Sequence, residues 1–457
     1  MSPDQPPLAG ATSLAPRQVR IMDHWSYLLA WLGGCVSIGT FAMGASLVGQ
    51  LSGPQAALAM ALGCLVIALA LTLNGAAGHR YGIPFMVQAR PAFGMAGTRV
   101  PGLVRAVPAL VWYGFQSWVG AAALNTAWMT LTGQSHLVAW FIAFQGLQVA
   151  LSVLGFQGIK WLENVGSVVI VAALGYMAWT VSTRYGWTLP VSAVDRDGAW
   201  GLPFWGGTLL FLGIYSTMML NAGDYSRELQ RGVGPGQQAL LYVLAILPVT
   251  LVMGLIGWRV SAATGTADPV AVFVQAVDNR PLLVITLLFI AFAQVTTNVL
   301  NNVLPPAYVL MDMFHLSFRA AVVWVGLLAM GTFPWLLVQD GSASGLQWFV
   351  RLYSAFLGPI FAILVVDYHL LRRGRLDTAA LYDPDGPYRG VNWAGVLATL
   401  VGASLALSFP LVGWYAGLLP AGLVYLGLMR RWARCQRFLG PRETDAHTHP
   451  DQVGAQT

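Results

Sequence analysis

Stretches of roughly 20 mostly apolar residues recur along this chain, about twelve of them by the length that a bilayer demands. They lie near 26–50, 55–74, 104–131, 137–155, 164–183, 205–222, 238–258, 281–303, 320–338, 347–368, 393–410 and 413–430. A helix of that length crosses a hydrocarbon core because it satisfies its backbone polar groups within one segment. The composition agrees. Of 457 residues, 56% are hydrophobic and 9% charged, and the mean hydropathy is +0.63. A soluble domain carries about a quarter charged residues. The chain reads as an all-α membrane protein that spans the bilayer about twelve times.

The net charge of +6 follows from topology rather than from binding to nucleic acid. With the N-terminus inside and the spans alternating, 19 of the 24 Lys and Arg residues fall on the inner side. Only Arg184, Arg196, Arg259, Arg280 and Arg351 fall outside. The positive-inside rule predicts this bias, and shifting the span count by one scrambles it. Both termini are therefore expected in the cytoplasm. Residues 1–22 are polar and Pro-rich with no early apolar core, so they read as a disordered cytoplasmic tail rather than a signal peptide. Residues 432–457 read as a second cytoplasmic tail, which leaves 23–431 as the membrane domain. The three cysteines, Cys35, Cys64 and Cys435, lie in two spans and the inner tail. Neither a disulfide nor a metal site is expected from them.

An intramembrane enzyme would need a catalytic constellation. The sequence has no H-E-x-x-H and no G-x-S-x-G, and its seven histidines are scattered. A channel would show a repeated filter motif or rings of charge. Polar residues instead gather in a few spans, which favours a carrier with one central site. Ohmic current would identify a channel, and chemical alteration of the compound would identify an enzyme. Asp224, Asp312, Asp367 and Glu163 sit at span ends. Proton pumps keep a carboxylate or histidine mid-membrane, so the pattern points to a metal cation held by neutral oxygens.

The eighth span holds VTTNVLNN at 295–302. Residues four apart share a helix face. Gln294, Asn298 and Asn302 form one stripe; Ala293, Thr297 and Asn301 form the next, with Thr296 alongside. Such a face must look at protein or water, never lipid. A single polar residue there would be interhelical glue, but this cluster is dense enough for a site. In the third span, Trp112 and Gln116 are again four apart. They suit a planar ring with amide edges, although a packing tryptophan and a bonding glutamine explain the pair equally well. In the first span, Gly33, Gly34, Ser37, Gly39 and Gly44 allow either close helix packing or an unwound segment whose carbonyls hold a cation. The sixth span has Gly206-Gly207 and then Gly213-Ile-Tyr-Ser-Thr217. Interrupted first and sixth spans would be equivalent positions in two five-helix repeats.

Five segments appear in an order that marks a family: HRYGIPFMVQARPAFGMAGTRVP (79–101), WYGFQSWVGA (112–121), TTNVLNNVLPPAY (296–308), LGPIFAILVVDYHLLRR (357–373) and YRGVNW (388–393). Over about residues 25–430 the chain resembles the nucleobase–cation symporters, which include the bacterial sodium–hydantoin transporter and permeases for allantoin, cytosine and uracil. The resemblance implies two inverted five-helix repeats plus two C-terminal helices, with the first and sixth spans discontinuous. It implies that Trp112 stacks on the substrate ring and that Gln116 and Asn302 hydrogen-bond it. It implies a cation site, for sodium or alternatively a proton, formed by the carbonyls of Gly33, Val36 and Ala293 and the hydroxyls of Thr296 and Thr297. Asn298 and Asn301 would then hold the helix and its neighbours. Ser37 stands where the hydantoin carrier has glutamine, and Ile214-Tyr215 where it has Gly-Trp. Tyr215 offers a second ring face and a hydroxyl handle. The function implied is import of a small planar amide-bearing ring by cation symport with alternating access. The expected protein is a cofactor-free monomer in a bacterial inner membrane. The alternative is a proton-coupled or uncoupled carrier of a vitamin-like pyrimidine or pyridine derivative.

Overall fold

The computed structural model describes residues 14–153, 200–265, 277–337 and 344–439, with parts of 172–186 and 268–274. Helices α1 (His24–Cys35) and α2 (Ile38–Ser46) form the first span. Then come α3 (Gly53–Tyr81), α4 (Arg99–Thr132) and α5 (Leu137–Val153). The fifth expected span, 164–183, lies largely outside the described residues. The chain continues with α6 (Leu202–Leu220), α7 (Pro235–Thr264), α8 (Arg280–Phe314), α9 (Phe318–Met330), α10 (Ser344–Leu371), α11 (Trp393–Ser408) and α12 (Gly413–Arg431). Helices α3, α6, α7, α8 and α10 are each long and apolar enough to cross a membrane, and the α1–α2 pair makes one bent span. Among the described residues there is no strand, only an isolated bridge between Met22 and Leu229.

Helix ends follow local chemistry. Ser52 caps α3 through a capping box with Gln55, and Gly82 closes the helix in the left-handed region at φ 72°. The first span breaks because Val36 and Ser37 are both extended (φ −74°, ψ 90° and φ −124°, ψ 135°). Ser37 restarts the helix by accepting the Gly39 N–H at 3.1 Å, and the two halves are bent by 53°.

The glycines of this span divide their roles. A Cβ on Gly44 would lie 2.0 Å from the carbonyl oxygen of Gly254, and one on Gly257 would lie 2.1 Å from that of Phe41. Helices α2 and α7 therefore touch backbone to backbone, as small residues permit in membranes. The sixth span is interrupted elsewhere than at its glycines. Helix α6 runs unbroken from Leu202 to Leu220, and the break falls at Asn221, before a turn at Ala222–Ser226. Gly213 serves packing instead: its Cβ would meet Val350 at 2.6 Å and Ser354 Oγ at 2.8 Å on α10. A further irregularity, unannounced by the sequence, is the π-helical turn Val299–Val303 inside α8.

Both tails are shorter than the sequence suggests. Residues 14–22, read above as disordered, cross the end of the bundle. Arg17 N–H donates to Gly82 O at 2.7 Å, and Tyr382 Oη donates to Leu14 O at 2.8 Å. Arg17 also pairs at 2.8 Å with Glu228, both side chains being buried. A buried carboxylate needs such a cation, and this one orders the N-terminal segment. At the other end, Cys435 and Phe438 are buried, and Arg372 donates to the carbonyls of Phe438 and Leu439. The packed domain therefore extends to 14–439, while 1–13 and 440–457 lie outside the described residues.

The close approach of α2 and α7 is testable. Gly44→Ala should destabilise by about 1–3 kcal/mol, the usual cost of overpacking, and lower the melting temperature in detergent. Gly427→Ala, on α12 with nothing within 4 Å, should be neutral or stabilising by up to about 1 kcal/mol. Equal melting temperatures for the two variants would contradict this packing.

Candidate functional site

At the break of the first span, α1 and α2 meet α4, α6 and α8 around one cavity. Ser37, Trp112, Gln116, Ile214, Tyr215 and Asn302, the substrate candidates, all line it, together with Gly34, Thr217, Met218, Thr297 and Asn301. Its volume is about 20 Å³, room for about one water. The polar groups consequently meet one another. Gln116 Nε2 donates to Ser37 Oγ at 3.2 Å, and Asn302 Nδ2 donates to Gln116 Oε1 at 3.4 Å. A ring with amide edges must replace these bonds with its own, an exchange that is modest in net energy.

Trp112 is held on two sides. Its Nε1 donates to Tyr353 Oη at 3.3 Å, and Tyr353 donates onward to Gly213 O at 3.0 Å. The far edge of the indole lies over Gly39, where a Cβ would come within 2.6 Å. Tyr215 presents its ring to the cavity but not its hydroxyl. That oxygen lies 2.6 Å from Thr250 Oγ1 and 3.5 Å from Cys35 O, so the handle read from the sequence is engaged with the scaffold.

The cation candidates converge on the seam between the break and α8. Thr297 Oγ1 lies 2.8 Å from Val36 O and 2.9 Å from Ala293 O. Thr296 Oγ1 lies 3.1 Å from Ala293 O, and Gly33 O accepts the Val36 N–H at 3.2 Å. Every one of these oxygens is neutral, a donor set that suits a hard cation of low charge. Among the described residues, no group of three His, Cys, Asp or Glu side chains is placed to hold a metal.

Asn298 supports Asn302 from behind. Its Nδ2 donates to Gln148 Oε1 at 2.9 Å, and its Oδ1 accepts from Asn302 at 2.8 Å. Asn301 Nδ2 donates to Gly34 O at 2.8 Å and so ties the π turn to the end of α1. Its Oδ1 has no protein partner.

Sequence reasoning missed Arg105, which it counted among the inner-loop cations. The side chain is fully buried on α4. Its Nη2 donates to Asn301 O at 2.8 Å and its Nε to Asn221 Oδ1 at 2.7 Å. One guanidinium thus joins the π turn of α8 to the break that ends α6. Asn221 in turn donates to Asp224 at 3.0 Å, and Asp224 also accepts the Phe85 N–H at 2.8 Å. Burial pushes the Asp224 carboxyl up, while the Arg227 charge and the N–H of Phe85 pull it back. An arginine at a span start looks like any interfacial cation, so only the fold reveals its role.

A broken span, a polar seam on α8 and a central cavity define a membrane carrier. Residues 15–432 match the family described as permease for cytosine/purines, uracil, thiamine, allantoin, and the chain belongs to that family. It is 27% identical over 428 residues to the hydantoin permease of Microbacterium maritypicum, covering 90% of this chain and 86% of that one. It is 28% identical over 455 residues to the allantoin permease of Bacillus subtilis, covering 91% of each. Among solved structures it matches Mhp1, a nucleobase-cation-symport-1 family transporter in a closed conformation with bromovinylhydantoin bound. The TM-score is 0.84 at 26% identity, over 92% of this chain and 94% of that one. The protein is accordingly a transporter and not an enzyme, and its helical fold closely matches that of Mhp1.

Two substitutions probe the site. Gln116→Ala should weaken ring binding by about 1–3 kcal/mol, the cost of orphaned polar partners; unchanged affinity in a binding titration removes Gln116 from the site. Arg105→Gln should lower thermal stability by a similar 1–3 kcal/mol or so, with partial recovery in Arg105→Lys. A melting temperature unmoved in Arg105→Gln would show that the bridge between α6 and α8 is dispensable.

Proposed function

We propose that this permease is a secondary active carrier that imports a small planar ring with amide edges, of the nucleobase, hydantoin or allantoin type, by cation symport with alternating access. One observation carries the reading. Val36 and Ser37 are consecutive extended residues, and each faces one of the two candidate sites. Val36 O meets Thr297 at 2.8 Å on the cation seam, and Ser37 Oγ meets Gln116 at 3.2 Å in the cavity. Whatever orders one residue orders the other.

In this mechanism a cation binds among Gly33, Val36, Ala293, Thr296 and Thr297 and fixes the unwound segment. The ring then enters between Trp112 and Tyr215, takes over the hydrogen bonds of Gln116 and Asn302, and packs on Ile214. Rocking of the helical bundle opens the site to each side in turn. Sodium is favoured because the oxygens are neutral and no carboxylate or histidine is among the described residues that line the cavity. The relatives named as hydantoin and allantoin permeases support the ring class. Ser37 and Ile214-Tyr215 are the positions that set this pocket's own preference. The arginine bias supports cytoplasmic termini in a bacterial inner membrane. The working unit of this reading is a monomer embedded in lipid.

The test is thermal stabilisation of the purified protein by hydantoins, allantoin, uracil, cytosine, thymine, hypoxanthine and pyridoxine, each in sodium and in choline. A ligand that binds only the folded state raises the melting temperature. One compound that stabilises more strongly in sodium is the expected result. Stabilisation indifferent to sodium would support the proton-coupled or uncoupled alternative, and no shift from any compound would take the cargo outside this ring class.

A further inference from the structure

A second cavity, of about 520 Å³, opens at the end of the bundle that carries the N-terminal segment. It lies between α3, α7 and α10, apart from the transport site. His79 and Arg80 come from α3, Arg231 from the loop before α7, Gln238 from α7, and His369 from α10. No carboxylate is among the described residues that line it.

Its hydrogen-bonding capacity is only half used. His79 Nε2 lies 3.1 Å from Gln230 O, and His369 Nε2 lies 2.9 Å from Leu73 O. A carbonyl only accepts, so each Nε2 carries a proton, and in the neutral ring Nδ1 is then an acceptor. Gln238 donates through Nε2 to Val233 O at 3.1 Å, and its buried Oε1 has no partner. Beside these acceptors stand the exposed guanidinium groups of Arg80 and Arg231. A bare inorganic anion would satisfy the arginines and leave the acceptors unmet. A ligand that joins a phosphate to hydroxyl donors meets both.

The cavity also continues a lipid-facing surface. Leu65, Leu69, Thr72, Ala76 and Arg80 follow one another at steps of three and four on α3, so they form one stripe. Leu65 is 45% exposed and Leu69 58% exposed, as expected of a face turned to hydrocarbon. Thr72 and Ala76 already line the cavity. Leucines thus lead into a basic polar recess at the membrane edge.

We propose that this recess binds the headgroup of an anionic glycerophospholipid with free hydroxyls, phosphatidylglycerol, with its phosphate between Arg80 and Arg231. Basic pockets at the ends of transmembrane helices recruit anionic headgroups in this way. Bound there, the lipid bridges α3, the start of α7 and α10. The proposal needs the membrane setting alone and is independent of the cargo.

The full-length protein is placed in nanodiscs of phosphatidylcholine, alone or mixed with phosphatidylglycerol. Phosphatidylcholine carries a phosphate but no net charge and no donor, so it is the control lipid. Melting temperature and native mass spectrometry are read for wild type, Arg80→Gln, Arg231→Gln and Arg430→Gln, the last an exposed arginine of α12 outside the cavity. Phosphatidylglycerol should raise the wild-type melting temperature and remain bound in the spectrum. Both effects should be lost in Arg80→Gln and Arg231→Gln and kept in Arg430→Gln. Inorganic phosphate and glycerol 3-phosphate are added separately to phosphatidylcholine discs. A shift from these that the cavity variants lose would keep the site and assign it to a soluble phosphate ester. No shift from any of them, or a phosphatidylglycerol shift that Arg80→Gln and Arg231→Gln retain or that Arg430→Gln loses equally, overturns the proposal.

Discussion

The hydrogen bond from Thr297 to the carbonyl of Val36, 2.8 Å long, is the contact on which the rest of this structure depends. Unwinding a helix inside a membrane exposes backbone polar groups, and hydrocarbon offers them nothing. The break at Val36-Ser37 exists because α8 supplies partners. Thr297 serves Val36, and Asn301 serves Gly34 at 2.8 Å. The polar run VTTNVLNN is therefore the complement of a defect in another helix, and neither element is stable in lipid without the other.

The complement has its own irregularity. Val299–Val303 is a π turn, and such turns are frequent at functional sites. A π turn shifts the hydrogen-bond ladder, and the Asn301 carbonyl finds its donor in Arg105 at 2.8 Å. The same arginine holds Asn221, where α6 ends. The first, sixth and eighth spans thus lose regularity around one point, and each is repaired by a side chain from another. The cavity lies beside the repaired first span, walled by Thr297, Asn301 and Asn302 of α8, Trp112 and Gln116 of α4, and Ile214 and Tyr215 of α6.

Much of this was legible in the sequence because it rests on local periodicity. Span lengths, the polar face of α8, the pairing of Trp112 with Gln116 and the small residues of the first span all follow from residue spacing. What stayed hidden depends on distant partners. Gly213 reads equally as a packing residue or a hinge, and only Val350 and Ser354 on α10 decide for packing. Arg17 looks like a solvated charge until Glu228 meets it across 211 positions. Tyr353 and Gln148 lie in largely apolar spans; their roles behind Trp112 and Asn298 appear only when α10 and α5 are in place. The tail boundaries erred for the same reason.

Linkage between cation and ring tests the central claim most directly. Ring affinity is titrated at stepped sodium concentrations, and sodium affinity with and without the ring, in wild type and in Thr297→Ala. Linkage requires each ligand to raise the other's affinity by the same factor. The account predicts that reciprocity in wild type, and in Thr297→Ala a ring affinity that no longer responds to sodium. A variant whose ring affinity climbs with sodium as steeply as the wild type would show that the seam at Val36 does not couple the two sites.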